Sequence, residues 1–159
     1  MSIGIITDST CDLNQELIEK YNIEVIPLSV HFGEKEFQDG VDINPKSFFE
    51  KLDKNKELPH TSRPAPALFM KKYKKMLEKY DQLLSIHVSA ALSGTFESAK
   101  LAAREIEDKN ISVIDTSSIS LGLGMLVILA AKLIEKGKNL DDIIKTIKNA
   151  KNNNNLESR

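Results

Sequence analysis

The sequence has little of what covalent or metal chemistry requires. Its 159 residues include one cysteine, Cys11. That excludes an intrachain disulfide and every multi-cysteine metal site, and it suits a reducing compartment. Histidine is scarce too. His31, His60 and His87 stand apart, none closely paired with another ligand-type residue, so neither a metal nor another cofactor is expected. Charge of one sign is lacking: 22 Lys and Arg against 23 Asp and Glu leave a formal net charge of −1. There is no long basic block of the kind a nucleic-acid binder carries. Apolar runs are short. The most apolar, Leu121 to Ala131, is too short to span a bilayer and reads as a buried helix. The first residues, Met1-Ser2-Ile3-Gly4, lack the basic and apolar regions of a secretory signal, so the expected location is the cytoplasm. The length suffices for one domain with a core.

Several catalytic motifs are missing as well. Leu92-Ser93-Gly94-Thr95 is not the Gly-x-Ser-x-Gly nucleophile elbow. A Ser93-dependent hydrolase would need His60 or His87 as its base, and no spacing indicates either. His87 falls inside a strand signal, as a satisfied core or sheet-face histidine does. No Gly-x-x-x-x-Gly-Lys-Ser/Thr phosphate loop occurs, and Val127 occupies the third glycine position of a dinucleotide fingerprint that Gly122 and Gly124 would begin. A binding protein is the better expectation than an enzyme.

What is present centres on Leu83 to Ala103. Leu83, Leu84, Ile86 and Val88 form a short apolar run suited to a buried strand. A small-residue turn follows, and Phe96, Ala99, Ala103 and Ile106 then recur at helical spacing. Strand, tight polar turn and helix leave the first helical N–H groups without helical partners, and the macrodipole favours an anion there. Ser93 and Thr95 add hydroxyls, and Gly94 permits close backbone approach. The same residues also read as an ordinary N-cap at Ser93.

The rest of the chain repeats this rhythm. Ile3 to Ile6 predicts a strand ending in Thr7-Asp8-Ser9-Thr10, followed by a helix capped at Asp12 with Leu13, Leu17, Ile18 and Tyr21 on one face. Glu24 to Leu28 predicts the next strand. Val30, Phe32 and Phe37 flank Gly33-Glu34-Lys35-Glu36 as a hairpin, and Asn44-Pro45 opens a short helix. Three prolines between Pro59 and Pro66 predict an extended loop. The helix after it has Phe69, Tyr73, Met76, Leu77 and Tyr80 on one face, with lysines as a solvated opposite face. Ile111 to Ile114 predicts a strand ending in Asp115-Thr116-Ser117-Ser118. Two helices follow, the first apolar nearly all round, and the region 149–159, rich in asparagine, carries no apolar pattern and is expected to be disordered. The fold class is α/β: a parallel β-sheet flanked by helices, Rossmann-like and three-layered. Three strand ends in small polar clusters would share one sheet edge, where such folds bind ligands.

These pieces resemble the N-terminal part of a DegV-family protein, the bacterial fatty-acid-binding family. The resemblance lies in Ile6-Thr7-Asp8-Ser9-Thr10-Cys11-Asp12, Thr61-Ser62-Arg63-Pro64, Leu92 to Ala99, Asp115-Thr116 and Gly122-Leu123-Gly124, in the family's order. It implies a lipid-binding α/β domain over residues 1–148, with 149–159 as a tail. It also implies a long-chain fatty acid held by its carboxylate on hydroxyls and backbone amides, and delivery to a separate fatty-acid kinase that makes acyl-phosphate. Thr61 and Ser62 match the proline-loop binding positions; Ser93 and Gly94, with Thr95 beside them, match the second contact. Ala65 departs from the family's frequent Ser. Family proteins are nearly twice this long, and their second domain supplies the other wall of the cleft. Weaker lipid binding and an exposed apolar patch are therefore expected here, the alternative being a non-binding interaction domain. The helix Leu121 to Ile134 is expected to form part of the acyl slot, so that a charge at Leu126 or Leu129 abolishes lipid uptake.

Overall fold

The computed structural model describes residues 1–107 and 110–154. The chain runs β1 (Ile3–Asp8), a 3₁₀ turn (Ser9–Cys11), α1 (Gln15–Lys20), β2 (Glu24–Ile26), β3 (Ser29–Phe32), β4 (Lys35–Gln38) and α2 (Pro45–Lys54). It continues through β5 (His60–Ser62), α3 (Pro66–Leu77), β6 (Gln82–His87), α4 (Thr95–Ile106), β7 (Ile111–Asp115), α5 (Leu121–Glu135) and α6 (Leu140–Asn154).

Four strands form a parallel sheet in the order β2-β1-β6-β7. Every residue of β1 is buried, as befits a strand covered on both faces. Side-chain alternation sorts the core into two layers. Ile3, Ile5, Leu84, Ile86 and Val88 pack beneath α5 and α6. Ile6 and Leu83 pack with Phe69, Tyr73, Ala99 and Ala102 of α3 and α4. The α/β three-layer expectation is thus met. Gly124 lets α5 lie against the 3₁₀ turn, because a β-carbon there would fall 2.6 Å from the Cys11 carbonyl oxygen.

A second, antiparallel sheet, β4-β3-β5, branches off between β2 and α3. Val30, Phe32 and Ile43 form its small core, with Phe37 and Phe48 packed against them. Asn44 and Ser47 close a reciprocal capping box at the start of α2. The proline-rich segment, expected as a loop, contains β5, because an extended backbone beside the free edge of β3 gains ladder hydrogen bonds.

Three further expectations change. The cap of α1 is Asn14, whose side chain accepts from the Leu17 N–H at 2.9 Å; Asp12 instead adopts a left-handed conformation, φ 50°, that turns the chain out of the 3₁₀ helix. The last helix continues through Asn154, past the expected boundary at 148, with Lys151 Nζ donating to the Asp115 carbonyl at 2.8 Å. The remainder of the expected tail, 155–159, lies outside the described residues. Leu126 is 2 % exposed and belongs to the core beneath α5, and Leu129 packs against the same core, so neither is placed to wall an acyl slot. The exposed large apolar side chains of that helix are Leu121 and Met125.

Leu126→Ala is expected to lower unfolding stability by about 2–5 kcal/mol, as truncation of a core leucine does. Met125→Asp, on the solvent side, should stay within about 0.5 kcal/mol of the parent. Urea unfolding followed by circular dichroism checks both.

Candidate functional site

The strand order reverses between β1 and β6, and in such sheets the crevice outside the carboxyl ends at that point is the binding position. Here it is a cleft of about 420 Å³. Thr10 of the loop after β1 and Val88, Ser93 and Gly94 of the loop after β6 line it. Thr61 of β5 and Arg63 just beyond that strand line it too, together with Leu28 and the carboxylate of Asp39. Leu92 and Ile119 complete the lining.

Alternation along β5 turns Thr61 and Arg63 into the cleft and Ser62 away from it. Ser62 instead bonds His31 Nε2 at 2.9 Å. Arg63 reaches across to α4. A β-carbon at Gly94 would lie 2.6 Å from Arg63 Cδ and 2.6 Å from Nη1. Glycine is what allows the guanidinium to rest over the first turn of α4. Gly94, rather than Ser93, is the N-cap residue, and no side chain caps the helix. Among the described residues Arg63 makes no ion pair. A cation held at the positive end of a helix dipole is unfavourable alone and favourable once an anion joins them.

Ser93 Oγ lies 2.8 Å from Thr95 Oγ1 and accepts from the Thr95 N–H at 3.3 Å. Thr95 is fully buried, so it orients Ser93 rather than facing the cleft. Of the five expected positions, Thr61, Ser93 and Gly94 come together, Thr95 supports them from behind, and Ser62 faces elsewhere. Arg63 is the residue that sequence reasoning left out of the site. It lies within Thr61-Ser62-Arg63-Pro64, and the period-2 alternation that aligns it with Thr61 is the available signal.

Beneath the cleft lies a hydrogen-bonded chain of fully buried side chains. Asp8 Oδ2 accepts from His87 Nδ1 at 2.9 Å, His87 Nε2 lies 2.6 Å from Ser85 Oγ, and Ser85 Oγ lies 2.7 Å from Tyr73 Oη. Asp8 Oδ2 also accepts from the Val88 N–H at 3.0 Å, and Oδ1 accepts from the Thr10 N–H at 3.1 Å and the Thr10 hydroxyl at 2.5 Å. Burial alone would raise the Asp8 pKa; the His87 hydrogen bond and charge, with Thr10 and Val88, outweigh it and hold the carboxyl below its usual value. Burial pushes the Tyr73 phenol upward, only partly offset by Ser85, so it remains an O–H donor.

Neither histidine that could have served Ser93 as a base lines the cleft. His87 is sealed in the core with both ring nitrogens engaged. His60 stacks on His31 with ring centroids 4.7 Å apart. Among the described residues no His, Cys, Asp and Glu cluster could hold a metal ion, and no helix is long and apolar enough to cross a membrane.

Comparison with known proteins bears on the cleft. A family model described as "Uncharacterised protein, DegV family" matches residues 2–156. A DegV domain-containing protein of Clostridium perfringens is 46 % identical over 145 residues, covering 91 % of this chain and 52 % of that protein. Among solved structures, DegV of Bacillus subtilis, titled a fatty acid binding protein, superposes with a TM-score of 0.91 at 35 % identity, over 96 % of this chain and 54 % of that one. A Thermus thermophilus structure titled for fatty acid binding of a DegV family protein has a TM-score of 0.89 at 38 % identity, over 96 % and 54 %. The chain spans about half the length of the relatives it matches.

The lowered Asp8 pKa predicts a pH dependence. A depressed folded-state pKa contributes stability that is fully present above the usual value of 3.8 and is lost as pH falls through the folded value. The stability gap between the parent and Asp8→Asn should therefore be largest near neutral pH and shrink below about pH 4, measured by urea unfolding across the acid range.

Proposed function

This chain belongs to the DegV family, and from that premise we propose that it binds a long-chain fatty acid with its carboxylate in the cleft at the ends of β1 and β6. The observation that carries the reading is Arg63 resting on Gly94 at the start of α4. A carboxylate inserted there takes charge-assisted hydrogen bonds from the guanidinium, hydrogen bonds from the hydroxyls of Ser93 and Thr61, and amide donors from the first turn of α4. Thr95 keeps Ser93 in place, and Ser62 makes no contact in this reading.

The alkyl chain leaves the cleft over Leu92 and Ile119 towards Leu121 and Met125. These four side chains are 65 %, 49 %, 73 % and 61 % exposed, an unusual apolar concentration beside a polar cradle. Each methylene removed from water contributes about 0.8 kcal/mol, so a chain covered on one side gains only part of that. The protein acts in the cytoplasm as a carrier rather than an enzyme, presenting the carboxylate to a separate kinase that forms acyl-phosphate.

Native mass spectrometry of the purified chain, with lipid extraction, tests the proposal. A fatty acid near one per chain is expected, lost in Ser93→Ala and in Arg63→Met. A folded parent chain that stays empty after incubation with palmitate would sink the reading and leave an interaction domain in its place. Gly94→Ala should keep the fold, since only the end of a flexible side chain has to move. It should weaken binding about tenfold by displacing Arg63, the size of one charge-assisted hydrogen bond.

A further inference from the structure

We propose that Asp8 is the positioning residue of the cleft: one buried carboxylate ties together the two crossover loops that flank the point where the strand order reverses, and so fixes where the carboxylate donors stand. This rests on the fatty-acid reading of that cleft. Neither Asp8 nor His87 faces the cleft; both are fully buried. Their bonds nevertheless end on residues that do. Asp8 Oδ1 takes both donors of Thr10, and Oδ2 takes the N–H of Val88. Thr10 and Val88 both line the cleft.

From Val88 the tie passes to the donors by short steps. The Ser89 carbonyl accepts from the N–H groups of Leu92 and Ser93 at 3.0 and 3.1 Å, closing the turn that delivers Ser93 and Gly94. On the far side the same root is held by the loop after β7. Thr116 donates its N–H and its hydroxyl to the His87 carbonyl at 3.2 and 2.8 Å, and the Ser118 carbonyl accepts from the Ser89 N–H at 2.9 Å. Three consecutive residues, His87, Val88 and Ser89, are thus anchored from β1 on one side and β7 on the other.

The remainder of the buried chain keeps the carboxylate in that role. His87 is held by Asp8 at Nδ1 and by Ser85 Oγ at Nε2, and Ser85 Oγ is held in turn by Tyr73 Oη, so no polar atom of the relay is left without a partner. The imidazole is also clamped edge to face by Phe69, with centroids 5.1 Å apart. A carboxylate saturated by donors from two loops cannot release one loop without leaving a buried charge underpaired, and that penalty makes the junction rigid. The Thr10 hydroxyl spends its hydrogen on Asp8, so towards the cleft it offers lone pairs only. Recognition of the anion accordingly falls to Arg63, Thr61, Ser93 and the α4 amides.

Amide hydrogen exchange on the full chain, parent against Asp8→Asn, tests this without any ligand. The Thr10 and Val88 amides are expected to exchange at least tenfold faster in the variant, while Ile5 and Leu84 in the β1–β6 ladder keep their protection. Binding of cis-parinaric acid to the same proteins is expected to weaken at least tenfold. Ser98→Ala, which removes a buried α4 hydroxyl without a partner, should change neither. A folded Asp8→Asn with parent-like protection at Thr10 and Val88, or with equal or tighter binding, overturns the proposal. Tighter binding would mean that Asp8 acts only as a nearby negative charge. Should Asp8→Asn not fold, the parent decides: saturating cis-parinaric acid is expected to shift the His87 imidazole nitrogen resonances, and unmoved resonances with ligand bound overturn it. A parent that binds no fatty acid removes the functional reading alone, since the exchange measurement still tests the tie between the loops.

Discussion

A carboxylate withdrawn from water at the end of a central strand costs several kcal/mol unless donors replace the solvent. At Asp8 the replacement is complete: His87 Nδ1, the Val88 N–H, and both the N–H and hydroxyl of Thr10. Those donors come from β6 and from the loops after β1 and β6, so satisfying one charge fixes the relation between two crossovers. The parallel pairing of β1 with β6 sets the spacing that makes this possible. The layer of α3 and α4 then closes over the remaining polar atoms, with Tyr73 ending the chain through Ser85. Much of the polar content of the core is therefore one connected unit rather than scattered compromises.

The small antiparallel sheet has a different role. It contributes little to the main core, having a separate cluster around Val30, Phe32 and Ile43. What it does is carry an extended strand, β5, back to the mouth of the parallel sheet, where Pro64 and Pro66 stiffen the route into α3. The pleat then sets the outcome residue by residue. Thr61 and Arg63 face the crevice, and Ser62 pairs with His31 on the other side. A cationic side chain is thereby brought to the amino end of α4, a position that only an anion makes favourable.

Exposure of apolar side chains follows the same geography. Leu92 and Ile119 line the cleft, and Leu121 and Met125 are exposed on the first two turns of α5, away from its packed face. α5 is apolar nearly all round for two separate reasons. One side, with Leu123, Leu126 and Val127, fills the core, and the other remains uncovered in this chain. A sequence pattern that reads simply as a buried helix thus hides two faces with different partners.

The α/β class, the strand-turn-helix around Ser93, the hairpin, the start of α2 and the family resemblance are all legible in the sequence. Each of these rests on local patterning: periods of 2 and 3.6, caps, and turn residues that act within a few positions. It also left Ser93 open between a cap and a ligand contact, and it placed Leu126 in an acyl wall, because helical spacing tells which residues share a face but not what that face meets. The tertiary structure decided those points. Gly94 became the N-cap and the seat of Arg63, Asp12 gave up its capping role to Asn14, and β5 formed only because the edge of β3 was there to receive it. Asp8 lies 79 positions before His87, and Tyr73 lies 12 before Ser85. Only Ser85 and His87, two residues apart on β6, are joined locally; the other hydrogen bonds exist only once β6 lies beside β1 and α3 covers both.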